Sequence, residues 1–181
     1  MSAYLSLLRG INVGGRKPLR MDTLRQVYES IGLKRVRSYL QSGNLLFESA
    51  EPDRLGLVRS IEAGIQAACG YHVPVFLRQP DELRTLLDGN PYLAGRNEER
   101  SRLHVTFLYQ PPDEARWDRL VVPTGIPDEF MPAESAIYLF CPAGYGKTKL
   151  SNAFFERKLG MPVTTRNWNT VEAVSMMLVE G

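Results

Sequence analysis

The chain has 181 residues, 44% of them apolar and 23% charged, with a formal net charge of +2. These are ordinary values for a globular chain of one domain or two small ones, large enough to bury a core without a metal or disulfide staple. No stretch approaches the length of a membrane span, and the start MSAYLSLLRGINVGG lacks the basic leader and long apolar run of a secretory signal.

The first strand is expected over Tyr4–Val13, a short apolar run that ends on Gly14-Gly15, with Arg16-Lys17-Pro18 continuing the loop. Alternation places Arg9 on the face of Leu5, Leu7 and Ile11. Met21, Leu24, Tyr28 and Ile31 share one face of a helix that Gly32 can stop. Val36–Gln41 alternates as a half-buried strand, Ser42-Gly43-Asn44 is a tight turn, and Leu45–Glu48 is the return strand. Pro52-Asp53 opens a helix with Val58, Ile61, Ile65 and Ala68 inward and Gly70 near its stop. Val73–Leu77 follows as a strand whose Pro74 argues for a sheet edge. This β-α-β-β-α-β order is that of a ferredoxin-like plait, with the first strand central and the fourth at an edge.

The order then repeats. Pro80–Leu87 is a connecting helix, and the polar stretch GRNEERSR (Gly95–Arg102) is the expected domain boundary. Leu103–Tyr109, Glu129–Pro132, Ala136–Phe140 and Val163–Arg166 are expected strands. Pro112–Leu120 and Lys149–Leu159 are the helices between them, and Thr170–Leu178 is a C-terminal helix. The fold class is therefore α+β: two tandem ferredoxin-like subdomains with antiparallel sheets, residues 1–79 and 103–181, joined by residues 80–102.

Charge is distributed unevenly along this order. Residues 1–41 carry eight Lys or Arg against Asp22 and Glu29, net +6, whereas the other 140 carry 14 basic and 18 acidic groups, net −4. Such a stretch suits an anionic ligand or a solvated basic face. Cys69 and Cys141, the two cysteines, read as buried free thiols of a reducing compartment, so a cytoplasmic protein is expected.

Four motifs have residue types that can carry chemistry. In LLRGINVGG, Arg9 and Asn12 can hold an anion or a carbonyl while Gly14 and Gly15 let a ligand approach backbone amides. The competing role is an arginine bracing loop carbonyls. The spacing is not the dinucleotide fingerprint GxGxxG. Ser42, Gly43 and Asn44 can bind from a hairpin tip or bond their own backbone. In that reading of the plait the tip lies at the sheet end where the first strand starts, opposite Gly14-Gly15. CPAGYGKT (Cys141–Thr148) resembles a phosphate loop, but Cys141 stands where the first glycine belongs and Pro142 has no amide donor. Lys147 can still meet a phosphate at a helix start. In TTRNWNT (Thr164–Thr170), Asn169 suits an N-cap. Arg166, Asn167 and Trp168 can make a stacking and hydrogen-bonding platform or anchor helix to sheet.

Other chemistries are disfavoured. His72 and His104 lack neighbours at metal spacing, so no metal and no cofactor is expected. NLLFES (Asn44–Ser49) has one aromatic residue and does not supply an RNA-recognition pattern. No motif offers an evident general base.

The strings LLRGINVGG (Leu7–Gly15), YLQSGN (Tyr39–Asn44), GYGKTKL (Gly144–Leu150), NAFFERKL (Asn152–Leu159) and TTRNWNTV (Thr164–Val171) resemble a bacterial family, domain of unknown function 1697. The resemblance implies two ferredoxin-like plaits and carries no established activity, substrate or cofactor. The expected function is capture of a small anionic ligand or a nucleic-acid backbone, by a monomer or homodimer with no membrane partner. The alternatives are an enzyme on a phosphorylated or nucleotide-like substrate, with Arg9, Lys147 and Arg166 as electrostatic stabilisers, and an interaction scaffold.

Overall fold

Strand β1 (Ser2–Leu8) is the centre of the N-terminal sheet of the computed structural model, which describes residues 1–15 and 18–180. The loop expected through Arg16 and Lys17 lies outside the described residues. Helix α1 (Met21–Ser30) and strands β2 (Lys34–Tyr39) and β3 (Asn44–Ser49) come next. Helix α2 (Arg54–Cys69) and strand β4 (Val75–Arg78) complete the sheet, whose order is β2-β3-β1-β4, antiparallel throughout. Helix α3 (Pro80–Asp88) leads out.

The later elements are β5 (Leu103–Leu108), α4 (Glu114–Trp117), β6 (Glu129–Pro132), β7 (Ala136–Phe140), α5 (Asn152–Leu159), β8 (Val163–Asn167) and α6 (Trp168–Val179). Their sheet has the order β6-β7-β5-β8, also antiparallel. The described residues thus form a mixed α+β fold with two four-stranded antiparallel sheets and six α-helices. None of these helices is long and apolar enough to cross a membrane.

By contacts the chain divides into Met1–Arg84 with Val174–Gly181, and Thr85–Ala173. The polar loop Gly95–Arg102 therefore lies inside the second unit, and the last turns of α6 belong to the first. In the first unit, Tyr4, Leu8, Leu45, Phe47, Val75 and Leu77 face Leu24, Val27 and Tyr28 of α1 and Leu57, Ile61 and Ile65 of α2. Leu178 and the sheet residues Ala3 and Leu46 line one small cavity on the other face. In the second unit, Leu108, Ile137, Leu139 and Val163 pack with Phe154, Phe155 and Leu159 of α5.

Some boundaries differ from the sequence expectation. The first strand ends at Leu8, not Val13, because Gly10 (φ 73°) and Asn12 (φ 54°) leave extended backbone. Arg9 consequently stands in a bend and not on the face of Leu5 and Leu7, and Ile11 joins the helix-side core. Pro74 precedes β4 instead of interrupting it, and β4 still takes the edge. Helix α4 is one turn, ending three residues before the expected Leu120; Val121, Val122 and Pro123 beyond it disfavour helix. Cys141 is buried, but Cys69 is only half-buried.

Candidate functional site

A strand-helix-strand unit returns the chain in its starting direction, so β1 and β2 run parallel and the β2–β3 turn falls at the C-terminal end of β1. The register shows this directly, with Asn44 opposite Leu7. The hairpin tip and the Arg9–Gly15 loop therefore share one end of the sheet, contrary to the opposed placement expected from sequence. Leu8 donates its backbone N–H to Gly43 O at 2.9 Å, and Arg9 N–H reaches Pro74 O at 3.0 Å.

Asn12 is the clip of this end. Its Nδ2 donates to Leu19 O (2.8 Å) and Gln41 O (2.7 Å), and its Oδ1 accepts from Leu19 N–H (2.7 Å). Both amide protons are thus engaged by backbone carbonyls. Asn44 is fully buried and donates to Tyr39 O (2.9 Å) and Ser42 Oγ (3.0 Å). These side chains shape the loop end from within. Gly14 and Gly15 adopt positive φ in open space, so conformation is what requires glycine there.

What they shape is a groove of about 370 Å³, lined by Arg20, Met21, Asp22, Arg25, Ser38, Leu40 and Gln41. Arg25 Nη1 donates to Ser38 Oγ at 2.8 Å, and its Nη2 pairs with Asp22. Arg20, 84% exposed, lies 3.8 Å from the same carboxylate. Arg20, Asp22, Arg25 and Ser38 belong to none of the four sequence motifs. The one sequence signal that marks them is the excess of positive charge over residues 1–41.

The second unit places the other candidates. Arg166 is 8% exposed in β8, where Nη1 donates to Thr164 Oγ1 (2.8 Å) and Thr165 O (2.9 Å), a bracing arrangement. Asn167 Oδ1 accepts from Thr170 N–H at 2.8 Å, so Asn167 caps α6 in place of the expected Asn169. Trp168 is 1% exposed and presents no open ring face for stacking. Lys147 is exposed in a 3-10 turn, Tyr145–Lys147, five residues before α5 and not at its start.

The CPAGYGKT loop is tied down internally. Thr148 Oγ1 donates to the buried Asp128 Oδ2 at 2.7 Å and accepts from Leu150 N–H at 3.0 Å. Burial pushes the Cys141 thiol up to about 11, with Thr148 opposing and the Asp128 charge adding to the rise, which favours the thiol over the thiolate at neutral pH. His104 stacks on Tyr145 at 4.8 Å. Burial holds its imidazole below the usual range, opposed by the Arg102 backbone. No group of three His, Cys, Asp or Glu among the described residues is placed to hold a metal.

A family model described as a protein of unknown function (DUF1697) matches residues 1–138. The GYGKTKL, NAFFERKL and TTRNWNTV strings lie beyond that match. Among solved structures, the conserved bacterial protein SP0830 from Streptococcus pneumoniae is 26% identical, with a TM-score of 0.75 over 99% of both chains. The comparison with curated proteins returns no match.

Proposed function

This chain belongs to the DUF1697 family, and from that premise we propose that it binds a small anionic ligand in the groove at the C-terminal end of β1. The observation that carries the proposal is the lining: Arg20 and Arg25 stand against one carboxylate, Asp22. A net positive groove of about 370 Å³ is of the size that takes a small ligand. Asp22 is engaged by Arg25 and no histidine is among the described residues that line the groove, which favours binding over proton-transfer chemistry.

The same proposal includes the finer architecture. Two ferredoxin-like plaits, residues 1–79 and 103–181, arise by duplication, and the matching orders β2-β3-β1-β4 and β6-β7-β5-β8 support this. The free thiols Cys69 and Cys141 suit a cytoplasmic setting.

Thermal unfolding with inorganic phosphate, diphosphate and a short oligonucleotide tests the ligand. Phosphate or diphosphate at ten times its Kd should add about 1.4 kcal/mol to stability. Arg20→Met should abolish that gain without lowering the Tm of the free protein, because the side chain is exposed. No stabilisation by any anion at millimolar concentration would defeat the proposal. A salt-steep preference for the oligonucleotide would replace the small ligand by a nucleic-acid backbone.

A further inference from the structure

Leu40 stands where a leucine is out of place on two counts. It follows β2 at the hairpin tip with φ 58°, in the left-handed region that a branched side chain disfavours. It is also 56% exposed. A turn serving only to reverse the chain is cheaper with Gly or Asn at such a position. The neighbours follow that rule: Asn12 at φ 54° and Gly43 at φ 75° occupy the left-handed region with residue types that suit it. The tip is held in place by the Asn12 bond to Gln41 O and the Leu8 bond to Gly43 O. Leu40 lines the groove together with Met21, while Arg20, Arg25 and Ser38 give the same groove its polar part.

We infer that Leu40 is a specificity residue of the groove, selecting anions that carry a ring-sized apolar body over bare anions. This rests on the anion-binding reading and adds the ligand class, a phosphomonoester of an aromatic or similarly apolar alcohol. The phosphoryl oxygens meet the guanidinium groups, for which Arg geometry is suited. The body covers Leu40 and removes its exposed surface from water. Selection for that contact accounts for both the strain and the exposure.

Calorimetric titration with phenyl phosphate and inorganic phosphate tests the inference, at a pH well above the second phosphate ionisation so that both probes are dianions. Wild-type protein should bind phenyl phosphate about ten-fold tighter. Leu40→Asn should bring the two affinities together, and should raise the Tm of the free protein, since Asn accepts the left-handed backbone. Equal affinities on the wild type would overturn the inference and leave anion binding standing; binding of neither probe would overturn both. A preference that survives in Leu40→Asn, or a lower Tm in that variant, would remove Leu40 from the role. Leu40→Gly provides a second variant with the same expected outcomes.

Discussion

Gly43 has no room for a side chain. A Cβ there would stand 2.8 Å from both Ile11 Cδ1 and Leu8 Cβ, and the backbone has φ 75°. Gly43→Ala should therefore cost about 2–3 kcal/mol, through overpacking added to left-handed strain, read as a lower midpoint in urea at unchanged m-value. The glycine's place in a turn was legible in the sequence. Its close approach to Ile11 was not, because the bend that brings Ile11 there lies some thirty residues earlier. Asn12 and Asn44 were legible as polar groups at a loop end. Their partners were not, since Leu19, Gln41 and Tyr39 offer backbone carbonyls, which every residue carries and no side-chain pattern marks. Leu40 was legible only as one more apolar residue in an alternating strand.

Helix ends were read best where side chain and glycine agreed. Asp53 accepts from Leu55 N–H at 3.0 Å, and Gly70 closes α2 at φ 82°, both as the sequence suggested. At α6 the expected cap, Asn169, lies two residues too late. Burial of Trp168 draws the helix start forward, and Asn167 takes the cap. Asn167→Ala should cost about 1 kcal/mol of stability in chemical denaturation, whereas Asn169→Ala should be close to neutral. Strand order followed from the succession of elements, because each has the period and length of its type. The overshoot of β1 arose because Ile11 and Val13 keep the apolar alternation after the backbone has left the sheet.

At the scale of the molecule, both tryptophans, Trp117 and Trp168, lie in the second unit, so intrinsic fluorescence follows that unit while far-UV circular dichroism follows both. His104 belongs to the same unit, and burial lowers its pKa in the folded state. Its neutral form is favoured by folding, so its contribution is complete above the unfolded value of 6.5 and is lost as pH falls below it. The fluorescence-detected Tm should therefore decline on acidification below that value, and His104→Gln should flatten the decline. The two-sheet architecture was legible from the repeated element order. Helix α6 is uninterrupted, and its first turns count with one unit and its last turns with the other.

That division has a consequence for biosynthesis. Arg37 on β2 reaches Met177 O at 2.8 Å, and Leu178 lines a cavity with Ala3 and Leu46. A ribosome delivers Ala3, Arg37 and Leu46 before Met177, with Thr85–Ala173 translated in between. The nascent N-terminal sheet acquires this cover only once a segment some 130 residues further along the chain has been made.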